Sequence, residues 1–187
     1  MRQLTKLLAP ILLLAAAVAT VNAQPPQPAP AKLPSFRDMF LSQLKDVETK
    51  ITGLADTMPQ EKYAWRPGPG VRSISEVYMH IAVANYFIPT FMGVKVPQGF
   101  NPGIEKSVTE KAKVIEAVHA SFDHVREIVT ALPDADLDKP AKMFGQQTTY
   151  QGVLFLIATH MHEHLGQSIA YARTNGVVPP WSKKGAE

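Results

Sequence analysis

The chain has no cysteine. That single absence excludes a disulfide framework, thiolate metal ligands, a cysteine nucleophile and a lipid-modified N-terminal cysteine. Any metal must therefore be held by nitrogen and oxygen. The chain also lacks a glycine-rich phosphate loop, a carboxylate cluster of the di-iron kind, a repeat at fixed period and a strand pattern of useful length. Neither Ser73 nor any other hydroxyl has an acid–base neighbour that argues for covalent catalysis. Nor is there a large excess of one charge. The net charge is +3, and the 19 basic side chains fall to 17 without Arg2 and Lys6, against 16 acidic ones. A domain so close to neutral is not built to hold nucleic acid.

What is present suffices for one domain: 187 residues, 45% of them apolar, can bury a sizeable core. Arg2 and Lys6, the apolar stretch Leu7 to Val18 and the small-residue site Val21-Asn22-Ala23 predict a secretory signal peptide over residues 1–23. The apolar run is short for a membrane span, so the mature protein is expected to be periplasmic or secreted, with no membrane attachment after cleavage. Residues 24–34 (QPPQPAPAKLP) read as a proline-rich linker. Residues 35–181 form the predicted domain and 182–187 a polar tail.

Four segments of that domain have helical period. The first runs from about Ser35 to Leu54, capped by Ser35 and Asp38, with the stripe Phe36, Phe40, Leu44, Val47, Ile51 and Leu54. The second starts at the capping box Ser73-Ile74-Ser75-Glu76 and reaches about Phe91, with Val77, His80, Ala84, Phe87 and Phe91 on one face. Residues 92–107, rich in glycine and proline, read as a long crossover or lid loop. The third segment is expected to open with a capping box at Ser107 to Glu110, its seam being Val114, Val118, Phe122, Val125, Val129 and Leu132. His119 and His124 lie off that seam and read as surface residues. Residues 132–147 form a second connection, with a turn of helix at Asp134 to Leu137. The fourth segment starts within Thr148 to Gln151 and stops at Asn175-Gly176. The fold class is all-α, an antiparallel four-helix bundle with long crossover loops.

Within the fourth segment, His160 and His164 stand one turn apart on a stripe with Val153, Leu156, Ile157, Gln167 and Tyr171. His162 points to the opposite side and Glu163 to the flank. Two imidazoles at that spacing either converge on one cation or are core histidines bonded to backbone or water. His80 adds a third imidazole from an inward face of another helix. Three neutral nitrogens with a fourth position open are a catalytic-zinc pattern. The local His162-Glu163-His164 text is not the metalloprotease motif, because Met161, not Glu, follows His160. Gln167 is placed to bond a ligand imidazole or bound water, with Tyr171 one turn further on. Tyr63, Trp65 and Arg66, from the loop before the second helix, are expected to line the mouth.

Two passages resemble a known family. They are Met58 to Pro67 (MPQEKYAWRP) with Val71 to Ala82 (VRSISEVYMHIA), and His160 to Gln167 (HMHEHLGQ) with Tyr171-Ala172-Arg173 and Gly176 to Pro180 (GVVPP). In order and spacing the chain is similar to the DinB-like (DinB/YfiT) four-helix-bundle metalloenzymes, from about Phe36 to Trp181. The resemblance implies a metal triad at His80, His160 and His164, a divalent ion that is zinc or nickel, and a homodimer. It also implies a metal-dependent hydrolase or a thiol-dependent S-transferase acting on an unspecified small molecule. Two features depart from the family: the export signal, which removes the chain from cytosolic thiols, and Leu165, where a basic residue is common. The alternatives are a non-catalytic metal-binding or stress-associated periplasmic bundle, and a bundle whose histidines are purely structural.

Overall fold

Five α-helices, a hairpin and four 3-10 turns make up residues 33–182, the part of the chain that the computed structural model describes. The expected signal peptide, nearly all of the expected proline-rich linker and the tail beyond Ser182 lie outside the described residues. Helix α1 (Phe36–Thr57) opens with a complete capping box. The Ser35 hydroxyl accepts from the Asp38 N–H, and the Asp38 carboxylate accepts in return from Ser35. Helix α2 (Ile74–Phe87) opens the same way through Ser73 and Glu76. It ends four residues earlier than the apolar pattern predicts. Pro89 has no N–H to continue the ladder, so the chain tightens into a 3-10 turn at Ile88–Met92 and stops at Gly93. Phe87, expected on the inward face, is exposed.

Helix α3 (Ile104–Ser107) is a single turn inside the stretch expected to be an irregular loop. Helix α4 (Lys111–Ala131) follows, and its cap differs from the expected one. No side chain from Ser107 to Glu110 caps it. Instead Gln60, from the turn after α1, reaches across: its Oε1 accepts from the Lys111 N–H at 2.6 Å and its Nε2 donates to the Thr109 carbonyl at 3.1 Å. A cap supplied by a distant residue leaves no local signature.

The second connection holds two strands that the sequence does not announce, β1 (Pro140–Met143) and β2 (Gln146–Thr149), paired antiparallel with Met143 opposite Gln146. Phe144 (φ 49°) and Gly145 (φ 84°) form the two-residue turn. Positive φ at both positions is the hairpin geometry usually supplied by Asn-Gly or Asp-Gly, and a phenylalanine there hides it. Helix α5 (Tyr150–Thr174) is capped by the Thr149 hydroxyl, which accepts from Gly152 N–H, and ends at Asn175 and Gly176.

Helices α1 and α2 each pack against both α4 and α5, which puts α1 and α2 on opposite corners of a four-helix bundle. Val47, Ile51 and Leu54 of α1, Val77 and Ile81 of α2, Val118 and Phe122 of α4, and Val153 and Ile157 of α5 meet in the core. Burying each such side chain contributes on the order of 1.5–3 kcal/mol. Leu132 and Leu156, expected in the core, are half-buried at its edge. The seam between α2 and α5 carries the histidines.

Candidate metal centre

His80 lies on α2, one turn beyond the capping box, and His160 and His164 lie one turn apart on α5 across the seam. Their ring centroids are 4.5 to 5.1 Å apart, and one ring nitrogen from each lies within 4.8 Å of the others. The Nε2 atoms of His80 and His160 are 3.2 Å apart. Among the described residues this is the one cluster of three or more such ligand groups.

The outward nitrogens explain why the rings stand as they do. Nδ1–H of His80 donates to Glu105 Oε2 at 2.8 Å, and Glu105 Oε1 accepts from Arg72 Nε at 2.8 Å. Nδ1–H of His164 donates to Gln167 Oε1 at 2.8 Å; Gln167 Nε2 donates to the Tyr171 hydroxyl, which donates to the Arg72 carbonyl at 3.2 Å. Both relays end on Arg72, one at its guanidinium and the other at its backbone. An acceptor at Nδ1 fixes the proton there and leaves the Nε2 lone pair directed inward, as in histidines that ligate metals. His160 differs: its Nδ1 is buried with no hydrogen-bond partner among the described residues.

Residues 43–168 match the family model of the DinB superfamily. The chain belongs to that superfamily. Solved structures of low identity share the fold. A DinB-like protein from Bacillus cereus ATCC 10987 is similar with a TM-score of 0.67 and 20% identity, over 75% of this chain and 93% of that one. A DinB-like protein from Bacillus subtilis, YjoA, gives 0.60 and 20% over the same shares. YfiT from Bacillus subtilis, a probable metal-dependent hydrolase with an unusual four-helix bundle topology, gives 0.63 and 14% over 81% and 94%. Among curated proteins nothing matches the chain.

In this DinB-superfamily chain the electrostatics favour neutral imidazoles at His160 and His164. Burial holds His160 down to about 4, helped by the neighbouring His164, His80 and Arg72 charges. Burial also lowers His164, with the Gln167 hydrogen bond working against it. Burial alone would raise the Glu105 carboxyl, but hydrogen bonds from Arg72 and His80 and their charges bring it below the usual carboxylate range. Three inward ring nitrogens, two of the rings held by acceptors at Nδ1 and one of those acceptors an ionised carboxylate, fit a divalent cation.

The other expected site residues separate. Gln167 and Tyr171 stand in the relay behind His164. Trp65 packs edge-on against Tyr171, with centroids 5.3 Å apart. Arg66 lines an open cleft of about 610 Å³ beside the triad, together with Arg72, Glu76, Glu105, Lys106 and Gln167. Tyr63 does not line the mouth: it is fully buried, its hydroxyl donating to the Ala55 carbonyl at 2.7 Å. A tyrosine that satisfies its hydroxyl on the helix below it belongs to the core.

His119 is exposed and pairs with Glu48, and His162 is exposed with Nδ1 bonded to the Ala158 carbonyl. His124 is not the surface residue expected. It is half-buried against Tyr86, with Nε2 enclosed and without a hydrogen-bond partner among the described residues, and burial lowers its pKa. Two residues of the network were not singled out by sequence. Glu105 comes from the single-turn α3, and Arg72 precedes α2 with no pattern to distinguish it from other loop arginines.

Proposed function

We propose that this DinB-superfamily protein is a divalent-metal-dependent hydrolase of a small molecule, its ion held by His80, His160 and His164. The observation that carries the reading is the pair of relays that fix Nδ1–H of His80 and His164 outward. A histidine satisfied for packing alone has no need of an ionised carboxylate behind it. A divalent ion bound there supplies a Lewis acid and a water of lowered pKa. The protein's part is to orient its rings: Glu105 holds His80, Gln167 holds His164, and Arg72 ties the two together. YfiT, with the same fold, is a probable metal-dependent hydrolase, which supports the reaction class. The open cleft against the relays supports turnover of a ligand over simple ion storage.

The S-transferase reading has less support, since the N-terminal pattern favours export and thus separation from cytosolic thiols. Zinc or nickel is the proposed ion, and the periplasm or exterior the proposed location. N-terminal sequencing of protein from the native envelope should find a chain starting at Gln24; an intact Met1 in the cytosol would count against export. Turnover of a panel of esters, amides and phosphate esters, abolished by chelator and restored by zinc or nickel, is the expected result for the reaction. A loaded protein inert to the whole panel would leave the non-catalytic alternative.

A further inference from the structure

The cleft beside the triad has an uneven charge balance. Its two carboxylates are both engaged: Glu76 accepts from the Ser73 N–H and from Arg66, and Glu105 accepts from Arg72 and His80. Its three cations are not all matched. Arg66 is tethered to Glu76 and the Val71 carbonyl, whereas Lys106 forms no ion pair among the described residues. Arg72 gives only Nε to Glu105, so the terminal amino groups of its guanidinium have no protein acceptor among the described residues. That free end is a planar fork of N–H donors, the geometry that matches a carboxylate or phosphate through two parallel hydrogen bonds. Glu105 holds the fork in place and in turn touches His80, so the fork is fixed relative to the triad. Three neutral imidazoles, moreover, leave the charge of a bound divalent ion uncompensated by its ligands.

We infer that the cleft selects small-molecule anions, seating a carboxylate or phosphate group of the substrate between the Arg72 fork and Lys106. This rests on the metal reading for its catalytic meaning, but the anion seat is built from residues outside the triad. Lys106 adjoins Glu105 on α3 and is exposed, so it can be changed without touching the histidines or either relay. In this arrangement Lys106 is a specificity residue, and a neutral ligand of the same shape gains nothing from it.

The test is a calorimetric titration of phenylphosphonate, with benzyl alcohol as the neutral control, into zinc-loaded and chelator-treated protein. Metal content is measured on the same samples. The parent should bind phenylphosphonate at least about tenfold more tightly than benzyl alcohol, with affinity falling as salt rises. Lys106→Glu should lose about tenfold or more, and Lys106→Gln less, both with the parent's metal content. Phenylphosphonate binding no better than benzyl alcohol, or as well in Lys106→Glu as in the parent, overturns the anion seat while leaving the metal reading intact. Lys106-dependent anion binding in a protein that takes up no metal supports the seat and removes the metal reading instead.

Discussion

Glu105 stands behind His80 as Gln167 stands behind His164, and the two are not equivalent. The carboxylate is ionised and bridges a cation and an imidazole, so it fixes the ring and raises its basicity as a ligand. Replacing it by the isosteric Glu105→Gln should weaken zinc or nickel binding by about 10–100-fold. His162→Ala, which removes an exposed ring bonded to the Ala158 carbonyl, should leave affinity unchanged. Competition titration against a metal-binding dye measures both, and equal affinities in the parent and Glu105→Gln would remove the positioning role. A second expectation concerns protons. His160 falls from the ordinary value of 6.5 to about 4 in the folded protein, chiefly through burial. Between those values the unfolded chain takes up a proton that the folded chain refuses. Stability of the metal-free protein therefore falls as pH drops through that window, and His160 contributes no pH dependence above it. Urea midpoints of the chelator-treated parent should fall from pH 7 to pH 5 by more than those of His160→Ala; equal falls would contradict it.

At this scale the triad is legible in the sequence, since helical period alone turns His80, His160 and His164 inward and sends His162 outward. The relay is legible only in part. Gln167 and Tyr171 follow His164 on its own face, within reach of any reading by period. Glu105 meets His80 across 25 positions, from a stretch whose glycines and prolines carry no period. Nothing in a lone loop carboxylate says which ring it will face.

Among the elements, the four long helices follow from their apolar stripes and caps. The departures occur where a distant residue or an unusual one decides the local structure. The clearest is the start of α4, where Gln60 does the work that Ser107 to Glu110 is expected to do. Gln60→Ala should therefore cost about 0.5–2 kcal/mol, the usual range for losing a helix cap, whereas Ser107→Ala should be close to neutral. Urea denaturation of the two variants decides between the local and the long-range cap. The hairpin escaped the period because its strands are four residues each and its turn begins with Phe144 at positive φ. Pro89 likewise ends α2 early without breaking the apolar pattern, because the 3-10 turn keeps Ile88 and Met92 buried.

On the scale of the molecule, the bundle's connectivity explains why a site forms at all. Placing α1 and α2 on opposite corners makes α5 a neighbour of α2, so a histidine from early in the chain meets a pair from its last long helix. A cation bound across that seam links the two helices only when the protein is folded. It should raise the melting temperature by mass action, and chelator should lower it. The most direct measurement is elemental analysis of the purified protein, made on the parent and on His80→Ala, His160→Ala, His164→Ala and His162→Ala after exposure to zinc and nickel. The account predicts one divalent ion per chain in the parent and in His162→Ala, and its loss from each of the three triad variants. A parent that retains no ion, or triad variants that retain as much as the parent, would contradict it.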